Sequence, residues 1–184
     1  MQDDDAAARC AEAWEIWLRC GPVRGTLADR YLRETLGIAG EIPDVLAFHP
    51  NAWCSHYGDH LPALCAPIFG AGGHPTAVLQ TFLCSETLDS WKTLSGDPVT
   101  ELVGEPYRGA VWTGCPGPIL GVAVGLEAAL ASQARYSLPV WAASDRERLR
   151  KIRIPDQVRT LLVFDGKTSD APRTLHRSSA TAAT

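Results

Sequence analysis

The sequence predicts an α/β protein: a small parallel sheet of βαβ units, preceded by an α+β region with a helical N-terminus and a β-hairpin. Three observations lead there. Residues 6–20, "AAARCAEAWEIWLRC", place Cys10, Ala13, Trp14, Trp17 and Leu18 at helical spacing. The apolar runs "ALCAPIF" and "TAVLQTFL" flank a glycine-rich "GAGGHP", the pattern of a hairpin. From Ile119 onward, buried-type strands alternate with helical segments, and parallel strands need such crossovers.

The elements follow in order. "GPVRGT" interrupts the first helix, and Thr26 is suited to cap a second, "LADRYLRETLG", that stops at Gly37. Pro43, Pro50, Pro62 and Pro67 predict an irregular stretch with short extended pieces. "GAVWTG" reads as a short strand. "ILGVAV" is a strand, "LEAALASQARY" a helix, "PVWAAS" a second strand, "DRERLRKIR" a charged helix or loop, and "VRTLLVF" a third strand. The Gly- and Pro-rich "TGCPGPI" reads as a linker. It divides the chain into an N-terminal α+β region (1–117), a truncated α/β unit (118–172) and a small, polar tail (173–184) expected to be disordered.

The chain has 184 residues, 46% hydrophobic and 21% charged, ordinary values for a globular protein. It lacks a run of about 18 apolar residues, so neither a membrane span nor a membrane partner is expected. "MQDDDAAARC" is acidic and is not a secretory leader. The six cysteines are irregularly spaced without a C-x-x-C pair, the pattern of reduced thiols in a cytoplasmic protein. Charge is unevenly spread. The residues before Arg135 carry a balance of −9, and those from Arg135 onward carry +5. Any contact with nucleic acid is therefore expected from the C-terminal third, through Arg146, Arg148, Arg150, Lys151, Arg153 and Lys167; the alternative is a solvated, charged helix face.

Three constellations could carry chemistry. Cys54, His56, His60 and Cys65 lie within twelve residues. Gly58 and Pro62 prevent the helix that would align the histidines, so a structural loop is preferred to zinc. "FDGKTSD" contains Gly-Lys-Thr, but Leu161 stands where a phosphate-binding loop needs glycine. Finally, Glu127 follows the first strand of the α/β unit, Asp165 ends the third, and Asp170 follows a turn. Open parallel sheets bind ligands beyond their carboxyl ends, where converging carboxylates can hold Mg²⁺. The plainer reading is an exposed helix glutamate and an Asp-Gly turn.

The segments "ILGVAVGLEAALAS", "LPVWAAS" and "IRIPDQVRTLLVFDGKTSDA" resemble the Toprim domain of primases, in particular those of phages and mobile elements. "WLRCGPVRGTLADRYLRETLGI", "LAFHP", "LPALCAPIFGAGGHPTAVLQTFL" and "RGAVW" are similar to the region preceding it, so the resemblance spans about residues 12–171. It implies a Toprim-like sheet and a role in strand synthesis or phosphodiester chemistry, with a strand-end glutamate as acid/base or metal ligand and an Asp-x-Asp pair holding Mg²⁺. By position that glutamate falls on Val124. Gly125, Glu127 and Asp165 match the pattern, Gly166 follows as in many primases, and the second aspartate falls on Lys167. Valine neither ligates metal nor moves protons, and Lys167 puts a cation where the metal would sit. A Lys167–Asp165 pair could substitute for it, at about 4 kcal/mol of attraction for an effective dielectric of 20.

The leading expectation is thus a degenerate, non-catalytic Toprim protein, a pseudoenzyme. It would bind nucleic acid (single-stranded DNA or a primer-template) or a replication or defence protein. One alternative is an adaptor or inhibitor that uses the scaffold to bind protein, favoured if several of the six tryptophans prove exposed and clustered. Another is a Mg²⁺-dependent primase or nuclease fragment whose catalytic and metal-binding residues are Glu127 and Asp165, with Asp170 as a further metal ligand.

Overall fold

A computed structural model describes residues 2–69, 75–164 and 172–176. The fold is α/β, with two sheets. Helix α1 (Gln2–Leu18) leads into strand β1 (Gly21–Pro22), helix α2 (Leu27–Arg30) and one wide π-turn over Tyr31–Thr35. The first sheet is antiparallel, with β1, β2 (Ala47–Cys54), β3 (Asp59–Phe69), β4 (Pro75–Cys84) and β5 (Asp89–Ser90) in that order. A sixth strand, β6 (Thr100–Gly104), also pairs with β4. The expected hairpin is β3–β4, in register from Ala63 opposite Phe82 to Phe69 opposite Pro75.

The prolines do not make this region irregular, contrary to the sequence expectation. Pro50 lies in the bulge between His49 and Ala52 of β2, and Pro62 of β3 falls opposite that bulge and outside the β4 ladder. Both occupy positions where no ladder bond needs their missing N–H.

The second sheet has the order β10–β9–β7–β8. Strands β7 (Ile119–Val124), β8 (Val140–Ala143) and β9 (Thr160–Phe164) are parallel. Helix α3 (Leu126–Tyr136) crosses from β7 to β8, and α4 (Arg146–Leu149) begins the return to β9. Strand β10 (Arg173–His176) runs antiparallel beside β9. These four residues belong to the tail expected to be disordered. They are ordered because β9 offers them an otherwise open edge of backbone donors and acceptors.

Two packing layers cover the first sheet. Beneath α1, Ala13, Ala52, Cys54, Ala63, Cys65, Val78 and Phe82 form a buried cluster. Arg9 fastens the helix to Glu105, with a 2.7 Å bond from its Nε. On the other face, one continuous core joins Tyr31, Leu32, Leu64, Ile68 and Leu79 to Ala123, Leu126, Leu130, Val140 and Phe164 of the second sheet. Backbone bonds also stitch the sheets together. Ala110 bridges to Phe69 and Val111 to Ala142, with 2.9 Å and 3.1 Å bonds exchanged in the second bridge. The Trp112 ring stacks between Phe69 and Trp141, with centroids 5.0 and 5.3 Å away.

Candidate functional site

The carboxyl ends of the parallel strands open into a hollow of about 540 Å³ whose lining includes Thr81, Asp97, Val124, Glu127, Asp145 and Arg146. The turn that shapes it is Gly125, at φ +84 and ψ 149, a conformation essentially reserved for glycine. Its N–H donates to the Ala143 carbonyl at 2.8 Å, and its carbonyl accepts from Ala129 at 3.2 Å. The chain therefore turns from β7 into α3 within one residue, with Val124 on one side and Glu127 in the first helical turn.

Each described carboxylate here already has protein donors. Glu127 accepts a short hydrogen bond from the Tyr31 hydroxyl. Asp145 caps α4, accepting from the Arg148 N–H at 2.8 Å and the Ser144 hydroxyl at 3.0 Å. Asp97 accepts from the Ser95 hydroxyl at 2.8 Å. Among the described residues, no three His, Cys, Asp or Glu side chains gather as metal ligands. Asp165, Lys167 and Asp170 lie outside the described residues.

Tyr31 is only 1% exposed. Burial, then the charge of Glu127 and the bond to it, push its phenol well above the usual range, against a smaller opposing effect of Ser90. It therefore remains a proton donor to Glu127. Sequence reasoning missed Tyr31. Its place depends on the π-turn, where the Leu36 N–H bonds to the Tyr31 carbonyl at 3.0 Å, five residues back. A π-turn widens the helix and redirects a side chain, and nothing in "RYLRETLG" announces it.

The four candidate zinc residues do not converge. Cys54 and Cys65 belong to the cluster beneath α1. His60 is exposed on the other side of the pleat, edge-on to Trp53 at 5.2 Å. His56 packs against Tyr57 at 4.8 Å.

The basic residues of the C-terminal third sort into two groups. Lys151 pairs with Glu147 at 2.5 Å, and the Arg148 guanidinium donates to the Tyr107 carbonyl at 3.3 Å. Arg146, Arg150 and Arg153 instead line two adjoining hollows on the face of the second sheet away from α3, of about 370 and 590 Å³. Arg108, Arg159 and Arg173 join them there, exposed like the other three. The hollows share an aliphatic floor of Ile152, Ile154, Leu161 and Leu175, and Asp156 is the one carboxylate among their lining residues. The sequence reading missed Arg108, Arg159 and Arg173 because they come from three separate stretches of chain. The only available signal was the overall basic balance.

The tryptophans do not form one exposed patch. Trp14, Trp53 and Trp112 are exposed, but they stand on α1, β2 and the bridging segment, and none stacks on another of the three.

No described helix is long and apolar enough to cross a membrane. A family model described as a domain of unknown function (DUF7146) matches residues 7–113, more than half of the chain. No curated protein matches it.

Proposed function

The chain belongs to the DUF7146 family, and from that footing we propose that it is a non-catalytic, Toprim-like protein of phage or mobile-element type that binds nucleic acid. The observation that carries this reading is the arginine-lined groove, in which six guanidinium-bearing residues meet one carboxylate across two joined hollows. Guanidinium groups hold phosphate oxygens through forked hydrogen bonds. A row of them follows a phosphate backbone without reading its sequence.

The lack of catalysis is supported at the strand ends. Val124 stands where the resemblance calls for a glutamate, and Glu127 is engaged by Tyr31. Magnesium does not fit the described part of this crevice, because the one described ligand that the resemblance implies already accepts a proton donor. The same reasoning predicts no nucleotide incorporation and no strand cleavage with either Mg²⁺ or Mn²⁺. Activity that is lost in Asp165→Ala would reverse this reading.

The binding test is fluorescence anisotropy with labelled single-stranded DNA, duplex DNA and a primer-template. Affinity is expected to fall about a hundredfold between ~50 and ~200 mM salt if four or five phosphates are contacted. Replacing Arg150 and Arg153 together by Glu should abolish binding while leaving the fold intact. Absence of binding at the lower salt rejects the proposal.

The aliphatic floor of the groove favours a second reading, a protein partner presenting acidic and aliphatic side chains. Capture from lysate before and after nuclease treatment separates the two: partners lost with nuclease support nucleic acid, and partners retained support the adaptor.

A further inference from the structure

We propose that Cys20 and Cys65 are a peroxide-responsive thiol pair that closes to a disulfide, with Cys20 as the attacking thiol and Cys65 as the resolving one. Cys20 follows the last turn of α1, where its thiol donates to the Ile16 carbonyl at 3.4 Å. It is half-buried and lines a hollow of about 630 Å³ beside Trp17 and Arg24, which gives a small oxidant access. Cys65 lies fully buried in the middle of β3. The ladder brings the two together: Pro22 of β1 pairs with Ala47, Ala47 pairs with Cys65, and Cys20 packs on the cluster that contains Cys65.

The two thiols share a side-chain hydrogen bond. Donation from Cys65 stabilises a thiolate at Cys20 and draws its pKa down against the effect of burial, while Cys65 is held well above the usual range. A partly accessible thiol with anionic character beside a buried protonated one suits attack followed by resolution. Cys54 and Cys65 are buried alike, but the Cys54 thiol is influenced by Tyr57, His56 and Glu101 and has no thiol among its neighbours.

The chemistry balances with a hydroperoxide as oxidant. The Cys20 thiolate attacks one oxygen of hydrogen peroxide, the O–O bond breaks, and hydroxide leaves with the second oxygen. The resulting sulfenic acid is attacked by the Cys65 sulfur. The S–S bond forms, the S–O bond breaks, and the Cys65 proton leaves with the oxygen as water. Two thiols are oxidised and one peroxide is reduced to two waters.

The reduced, full-length protein is treated with one equivalent of hydrogen peroxide and mapped by non-reducing mass spectrometry. Cys84 is replaced by Ser in all samples, since its neighbour Thr87 also lowers its thiol pKa. The expected result is a mass loss of about 2 Da, for two hydrogens. A Cys20–Cys65 cross-linked peptide should carry that loss, and a thiol reductant should reverse it. In Cys65→Ala the cross-link should be absent and dimedone should trap a sulfenic acid at Cys20. In Cys20→Ser, which leaves the core untouched, Cys65 should resist both peroxide and iodoacetamide. The proposal falls if Cys20 advances to sulfinic acid with Cys65 still a free thiol, if another cysteine pair links instead, or if no mass is lost.

Discussion

The phenol of Tyr31 carries two consequences. Its hydroxyl is buried and donates to Glu127, so Tyr31→Phe leaves a half-buried carboxylate short of a donor. Loss of such a charge-assisted bond should cost about 1.5–3 kcal/mol in a urea titration. Because the folded-state pKa is raised, Tyr31 contributes its stability fully at neutral pH. That contribution declines as the pH passes the ordinary phenol value of about 10 and the unfolded chain begins to ionise first. Tyr31→Phe should therefore lose less stability than the wild type between about pH 9.5 and 11, as read by denaturant midpoints. Two glycines make a second residue-scale contrast. A Cβ on Gly104 would come within 2.8 Å of Ala13 Cβ, at φ +98, whereas a Cβ on Gly125 would meet open space, at φ +84. Gly125→Ala should cost only backbone strain, about 1–3 kcal/mol. Gly104→Ala should cost more, because it also pushes α1 off the sheet. Equal costs in chemical denaturation would contradict this assignment.

At the scale of elements, the narrowest join in the molecule is the pair of bridges at Ala110 and Val111. Val111→Pro removes the N–H that donates to Ala142 at 2.9 Å. It should destabilise the protein by about 3 kcal/mol or more. Amide exchange in β8 should accelerate more than exchange in β2, and a uniform change would reject the bridge as a local fastening. The elements also mark what was legible in the sequence. The alternation of Ile119–Val124, α3 and Val140–Ala143 was readable because apolar runs joined by a helix of this length have few packings other than a parallel pair. The hairpin was readable from its two β-rich runs and its glycines. Strands β2 and β3 were obscured by proline, since the sequence does not reveal which N–H groups the ladder leaves unused. At the site, Gly125 and Glu127 could be located from the turn between strand and helix. Tyr31, Asp97 and Thr81 reach the same hollow from the first sheet, through long-range packing that leaves no local pattern. "GAVWTG" read as a strand, yet its two central residues divide their bonds between both sheets.

At the scale of the whole molecule, the core that runs from Tyr31 and Leu64 to Leu126 and Phe164 ties the two sheets together. Thermal unfolding should therefore show one transition, coincident by near-ultraviolet circular dichroism and tryptophan fluorescence. Two separated transitions would mean that the sheets are independent. The lopsided charge takes on a spatial meaning here as well. The basic excess of the C-terminal third is not spread over α4 alone. Arg108 and Arg173 bring it to a single face, and Lys151 and Arg148 are turned toward neighbours.

The bridging segment also constrains how this protein can change in length. Ala110 packs with Leu120 and Trp141, Val111 with the core shared by both sheets, and Trp112 again with Trp141. Successive side chains in this segment thus serve opposite faces, and the segment acts as a parity lock between the sheets. One inserted residue just before Ala110 would exchange the faces, sending a tryptophan toward the shared core and a valine into the ring stack. Two inserted residues would restore the order. Among descendants of this chain, insertions next to the bridge should therefore survive in even steps, while odd ones should be confined to the loops on either side.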